Sequence, residues 1–151
     1  MSTKVDPIIA IIDDEETSQF MTKVAIRRVS SASRIIHFFN GKEALQFLGA
    51  QSTNESELPD IILLDLNMPL MDGWTFLDEF ELIRPILKKN IKIFILTSSI
   101  DQNDIDKAKD YFKVVSFFSK PLSKEMFELI MTAPDYYGTP EMAEILSHTR
   151  N

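Results

Sequence analysis

At 151 residues, 44% apolar and 10% aromatic, the chain suits one domain built around a single core. Sixteen Lys and Arg against 23 Asp and Glu leave a formal net charge of −7, which argues against nucleic acid or an anionic membrane as a direct partner and favours a cationic protein surface. The lack of cysteine removes disulfides, thiolate nucleophiles and Cys-based metal sites from consideration.

The opening "MSTKVDPIIAIIDDEE" lacks the apolar core and small-residue cleavage site of a signal peptide. No apolar run reaches the roughly 20 residues that a transmembrane helix needs, so a cytoplasmic protein without membrane insertion is expected. Apolar, β-branched runs then alternate with amphipathic stretches, the pattern of a parallel sheet with crossover helices. The first strand is expected at about 7–13, "PIIAIID", and a helix at about 16–30. The second strand, "RIIHFF" at about 34–39, leads through an Asn40-Gly41 turn into a helix at about 42–48. The polar segment "GAQSTNESELP", 49–59, reads as a loop on the rim opposite the strand tips.

A third strand follows at about 60–65, "DIILLD", with a helix at about 74–83 that Pro85 stops. The fourth strand, "IKIFILT" at about 91–97, precedes a helix at about 101–112, and the fifth, "VVSFF" at about 114–118, precedes one at about 123–131. The expected fold is therefore α/β: a (βα)5, doubly wound, five-stranded parallel sheet in a domain spanning 1–131. Residues 132–151 form a C-terminal extension. Thr139 as N-cap and Pro140 at the first helical position suggest a short helix at about 140–148, too little for a second domain. Met142, Ile145 and Leu146 stand at helical spacing there, which points to packing rather than recognition. His37 and His148 have no partner at ligand or relay spacing and receive no function.

In open parallel sheets chemistry sits beyond the carboxyl ends of the strands. The first strand delivers Asp13-Asp14 there, the third Asp65, the fourth Thr97-Ser98-Ser99 and the fifth Ser119-Lys120-Pro121. Taken singly, each has a plain explanation: a helix cap, a strand end, a β-former, a solvated lysine. Together, three carboxylates on one rim repel one another, and without a counter-charge at least one pKa must rise. A hard divalent cation relieves this, and Mg²⁺ prefers one or two carboxylates, several waters and phosphate oxygens. A carboxylate can also serve as nucleophile and become an acyl phosphate, with Lys120 and the Thr97 hydroxyl on the phosphoryl oxygens. Pro121 fixes the backbone after Lys120, and a cis Lys–Pro bond is compatible with the sequence.

Asp13-Asp14 after the first strand, "DLNMPLMDG" from Asp65, "LTSS" around Thr97 and "FFSKP" around Lys120 resemble the receiver domain of two-component response regulators over residues 6–131. The resemblance implies a flavodoxin-like receiver fold, with Asp65 as phosphoacceptor. It also implies Asp13 and Asp14 as the acidic metal pair, Asp14 favoured as the direct ligand, and the Asn67 backbone carbonyl as a further ligand for Mg²⁺ or Mn²⁺. Thr97 is then the switch hydroxyl, Lys120 the phosphate-binding lysine and Phe117 the aromatic that changes rotamer with Thr97. Asn67, Pro69 and Gly73 shape the loop around the metal.

The implied partners are a histidine kinase or histidine phosphotransfer protein and an output protein, in a stand-alone receiver that is a monomer or a phosphorylation-dependent dimer. It is a phosphoacceptor signalling protein rather than an enzyme, with self-catalysed phosphotransfer and autodephosphorylation. The chain departs from the family where "YFKVV" (111–115) replaces a common Gly-Ala pair, and where Phe117 stands for the Tyr of some members. Ser98, small and next to Thr97, is compatible with phosphodonor access.

Three rival readings compete with this one. A haloacid-dehalogenase-type phosphatase needs an acid at position 67, where Asn67 cannot transfer a proton. A flavodoxin-like cofactor binder wants a Ser/Thr/Gly-rich phosphate loop, where "DDEETS" repels phosphate. A receiver that acts by binding alone, without phosphorylation, is the nearest alternative.

Overall fold

The structure is a computed structural model that describes residues 6–98, 101–111 and 114–132. Its strands are β1 (Ile9–Ile12), β2 (Ile35–Phe38), β3 (Ile61–Leu64), β4 (Lys92–Thr97) and β5 (Val114–Ser119), all parallel in one sheet of order β2-β1-β3-β4-β5. The crossover helices are α1 (Glu16–Val29), α2 (Gly41–Ala50), α3 (Gly73–Ile83) and α4 (Gln102–Ala108), and α5 (Lys124–Thr132) follows the last strand. The doubly wound architecture expected from the sequence is the one observed. The extension helix at 140–148 and His148 lie outside the described residues.

Period-two alternation along the strands supplies two cores. Ala10, Ile12, Ile62, Leu64, Ile93 and Ile95 pack on one face with Ala44 and Leu48 of α2, Phe76, Leu77 and Phe80 of α3, and Ile105 and Ala108 of α4. Ile9, Ile11, Ile61, Leu63, Phe94 and Leu96 pack on the other with Ala25 and Ile26 of α1 and Phe127 and Ile130 of α5. Burial on both faces explains why β1 and β3 read as unbroken apolar runs, while β2, at the sheet edge, is half-buried and carries the exposed His37.

In β5 the pairing slips between Ile93↔Val114 and Phe94↔Ser116, leaving Val115 as an extra residue. Val114 and Phe117 consequently share the α2–α3–α4 face, while Val115 and Phe118 share the other. A regular strand would have put Phe117 and Val115 together.

Local chemistry refines several boundaries. Asn40 caps α2 by accepting from the Glu43 N–H at 2.9 Å, so Asn40-Gly41 is the start of the helix itself. Pro85 sits within a 3-10 turn, Arg84–Ile86, that continues from α3. α4 is shorter than its pattern suggests because Lys109, Asp110 and Tyr111 N–H groups bond three residues back, to Asp106, Lys107 and Ala108, tightening the chain into a 3-10-like end. The segment after α2 lies on the rim away from the strand tips, where the Lys88 N–H donates to Ser52 O at 2.8 Å.

From β1 the chain winds to β2 on one side, and from β3 to β4 and β5 on the other. The crevice at that reversal, between the carboxyl ends of β1 and β3, is where an open α/β sheet exposes its functional groups.

Candidate functional site

Asp13 and Asp65 each follow the last residue of a central strand, and the ladder carries one step further to hold them. The Asp13 N–H donates to Phe38 O at 3.1 Å and the Asp65 N–H to Ile12 O at 2.9 Å. Asp14 is next in the chain, and one carboxylate oxygen from each of Asp13, Asp14 and Asp65 lies within 4.8 Å of the others. Asp13 and Asp65 are buried and Asp14 is half-buried.

The three acids are held differently. Asp13 Oδ1 accepts from the Glu15 N–H at 3.0 Å, and Oδ2 accepts from the Ser18 hydroxyl at 2.5 Å and from Lys120 Nζ at 2.8 Å. Asp65 Oδ1 accepts a longer bond from the Asn67 N–H, 3.3 Å, and Oδ2 lies 3.3 Å from Lys120 Nζ. The Asp14 carboxylate has no hydrogen bond or ion pair among the described residues.

Lys120 is set at the end of β5 by its own N–H donating to Thr97 O at 2.9 Å, and its peptide bond to Pro121 is cis. Thr97, at the end of β4, is fully buried, and Asn67 Nδ2 reaches toward its hydroxyl at 3.5 Å.

The Asp65 pKa is raised, and burial rather than repulsion among the acids is the larger cause. Burial raises the Asp65 pKa above the ordinary carboxyl value; Lys120 pulls it down, the charge of Asp13 pushes it up, and the net direction is upward. For Lys120, burial acts to lower the pKa, but its bonds and charges with Asp13 and Asp65 outweigh that and raise it.

The loop after β3 is fixed by close packing. Gly73 donates its N–H to Leu66 O at 2.9 Å, and Asp72 caps α3 by accepting from the Thr75 N–H at 2.8 Å. A Cβ built on Gly73 would lie 2.8 Å from Asp65 O, Leu66 Cα and Leu66 Cδ2, so only glycine allows the helix to start this close to the acid. Phe117 has no solvent exposure and packs in the core layer that includes Ile105 and Ala108 of α4, while Ser98 is exposed beside Thr97.

Sequence reasoning passed over Gln19. It is buried on α1, and its Nε2 donates to Ile11 O at 3.3 Å, Asp13 O at 3.0 Å and Phe38 O at 3.0 Å. The available signal was its spacing: Gln19, Thr22, Ala25 and Ile26 are the buried positions of α1, while Phe20, Met21 and Val24 face out.

The donor set fits a hard divalent cation: carboxylate oxygens from three residues converge, one of them unengaged, and no His or Cys joins the cluster among the described residues. The family model "Response regulator receiver domain" matches residues 9–131. The chain belongs to that family.

Among its relatives, the probable methanogenesis regulatory protein FilR2 of Methanothrix harundinacea is 31% identical over 121 residues, which cover 80% of this chain and 76% of FilR2. Response regulator Rcp1 of Synechocystis is 26% identical over 141 residues, covering 91% of this chain and 94% of Rcp1. The crystal structure of its Mn²⁺-bound form superposes with a TM-score of 0.65 over 83% of this chain and 90% of that one. A two-component response regulator from Cytophaga hutchinsonii superposes with a TM-score of 0.75 at 27% identity, over 85% of this chain and 96% of that one. This receiver therefore brings Asp13, Asp14, Asp65, Thr97 and Lys120 together at the sheet's carboxyl edge, and holds Phe117 in the layer beneath.

Proposed function

We propose that this receiver accepts a phosphoryl group on Asp65 from a histidine kinase or histidine phosphotransfer protein, and thereby switches a protein-binding face. The observation that carries this reading is the convergence of three carboxylates and Lys120 at the β1–β3 crevice, with the Asp65 carboxylate the more loosely held of the two buried acids. An Asp65 oxygen forms the new bond to phosphorus as the P–N bond of a donor phosphohistidine protonated on its other ring nitrogen breaks, leaving an acyl phosphate and a neutral imidazole that keeps that proton. Asp13, Asp14, Asp65 and the Asn67 backbone carbonyl would hold Mg²⁺, with Mn²⁺ able to substitute. Such an ion supplies neutralisation of the phosphoryl oxygens.

The chain's own groups do the rest. Lys120 Nζ already stands 3.3 Å from Asp65 and offers a cation to the phosphoryl oxygens, and the Thr97 hydroxyl donates to one of them once drawn from Asn67. Movement of Thr97 is transmitted to Phe117 and α4, whose Ile105 and Ala108 share its core layer, and so to the α4–β5–α5 face. Because Phe117 starts buried, the switch is a repacking of that layer. Exposed Phe20, Met21 and Val24 on α1, beside Pro121 and Leu122, give the donor an apolar surface to dock on next to the site.

Residues 1–131 act as the receiver and 132–151 as an extension, in a cytoplasmic protein. No helix among the described residues is long and apolar enough to cross a membrane. Intact mass after incubation with acetyl phosphate and Mg²⁺, beside Asp65→Asn, tests the proposal. A Mg²⁺-dependent gain of one phosphoryl group, absent from the variant, is expected. No gain with either acetyl phosphate or a purified kinase would instead favour a receiver that acts by binding alone.

A further inference from the structure

Each acid of the site except Asp14 is aimed by bonds to its own carboxylate. Asp14 has none among the described residues, yet its oxygen lies within 4.8 Å of those of Asp13 and Asp65. A side chain without partners is aimed by its backbone, so what fixes the Asp13–Asp14 peptide fixes the Asp14 carboxylate. The carbonyl of that peptide accepts from Gln19 Nε2 at 3.0 Å.

The same nitrogen reaches Ile11 O at 3.3 Å and Phe38 O at 3.0 Å, tying the end of β1 to the end of β2 from the second turn of α1. Its partner atom, Gln19 Oε1, is buried without a hydrogen bond among the described residues. A reversed amide would set an oxygen against three carbonyl oxygens, so the observed orientation is the only one of the two that bonds. Burying an orphan acceptor is unfavourable, and an apolar side chain would avoid it. What the glutamine adds over such a side chain is the set of three carbonyl ties, and one of them ends on the peptide that carries Asp14.

We propose that Gln19 is a positioning residue for Asp14: its amide nitrogen orients the Asp13–Asp14 peptide so that the Asp14 carboxylate faces Asp65 with both oxygens unengaged. The inference rests on the reading of Asp13, Asp14 and Asp65 as a metal site, and concerns which residue outside that set determines its affinity. Gln19 touches no metal and no phosphoryl group; it acts through the backbone.

The test is Mn²⁺ affinity of the full chain, read from the paramagnetic resonance signal of the free ion, with unfolding temperature measured in chelator. Gln19→Met keeps the length of the side chain and removes its donors. It is expected to bind Mn²⁺ about 10-fold more weakly, within the range for groups that orient metal ligands. Ala25→Gly, buried on the same helix and away from the acids, is expected to lower the unfolding temperature while leaving Mn²⁺ affinity within about twofold of wild type, separating orientation from helix stability. Should Gln19→Met fail to fold, Gln19→Asn withdraws the amide by one methylene and gives the same readout. Affinity of the Gln19 variant within about twofold of wild type, or a loss no larger than that of Ala25→Gly, overturns the proposal. Asp14→Asn separates the two readings: if it binds Mn²⁺ like wild type, the metal-site reading itself fails, and this proposal with it.

Discussion

Substituting Gly73 by alanine adds one methyl group at the point where α3 begins against the acid-bearing strand. Its carbon would lie 2.8 Å from Asp65 O, Leu66 Cα and Leu66 Cδ2, against a comfortable carbon separation of about 3.5–4.0 Å. Two of those three atoms are backbone, so the clash cannot be relieved by turning a side chain. The Asp65–Leu66 peptide or the first turn of α3 must move by roughly 0.5–1 Å.

Overpacking of this kind costs about 1–3 kcal/mol, and the better helix propensity of alanine returns at most about 1 kcal/mol. A net loss of about 1–2 kcal/mol is expected, which lowers the unfolding temperature of a chain this size by about 2–8 °C. Because the displaced peptide belongs to Asp65, phosphorylation by acetyl phosphate should slow by on the order of 10- to 100-fold, the scale on which misplacement of about 1 Å acts.

Gly49→Ala is the matched control. No atom lies within 4 Å of a Cβ there, in the last turn of α2, so the same substitution should stabilise by about 0.5–1 kcal/mol and leave phosphorylation unchanged. Thermal melts and intact-mass time courses on both variants decide the matter. A Gly73→Ala protein as stable and as quickly phosphorylated as wild type would refute the packing argument.

Three further outcomes are expected. Lys120→Met leaves Asp13 and Asp65 buried without their cation, and should lower stability by about 3 kcal/mol in metal-free buffer, with a larger share recovered on adding Mg²⁺ than wild type gains; melts with and without Mg²⁺ measure both. Burial raises the folded-state pKa of Asp65, so its contribution to stability is fully present below the ordinary carboxyl value near 3.9 and is lost as pH rises through the higher folded value. Asp65→Asn should therefore melt above wild type at neutral pH in chelator, and the gap should close below about pH 4. Burial, and then the bond to Asp78 at 2.6 Å, push the Tyr111 pKa up to about 12, so stability should fall as pH rises from the ordinary tyrosine value of about 10 through 12, and Tyr111→Phe should abolish that alkaline component.

Much of this was legible in the sequence, for physical reasons that also mark where legibility ended. Central strands buried on both faces read as apolar runs, the half-buried edge strand β2 reads as a run broken by His37, and the polar residues at the strand ends mark the candidate site. The bulge in β5 was hidden because "VVSFF" satisfies either face: only tertiary packing chooses which of Phe117 and Phe118 meets α4. Gln19 was hidden for the opposite reason. The apolar side chains Phe20, Met21 and Val24 lie on the exposed side of α1 while an amide is buried beside Ala25 and Ile26, so hydrophobicity alone does not single out Gln19. The 3-10-like end of α4, where the Lys109, Asp110 and Tyr111 N–H groups bond three residues back, has no mark in the alternating charges of Asp106, Lys107, Lys109 and Asp110.

The three acids and one lysine also constrain how the site can work. With all four ionised, three carboxylates against one ammonium leave two uncompensated negative charges, which matches a divalent cation in sign and magnitude. A phosphoryl group on Asp65 carries about two negative charges and replaces the single charge of the carboxylate, so the same crevice gains about one more. Lys120 is the nearest cation to receive it, and its closer partner before phosphorylation is Asp13 at 2.8 Å, not Asp65 at 3.3 Å. Asp13 can release it at little cost, because the Glu15 N–H and the Ser18 hydroxyl remain on its two oxygens. That saturation of Asp13 makes Lys120 transferable and leaves the partnerless Asp14 available for the cation. Ser18 and Gln19, adjacent on α1, thus serve the two members of the acidic pair separately, one through a carboxylate oxygen and the other through the peptide between them.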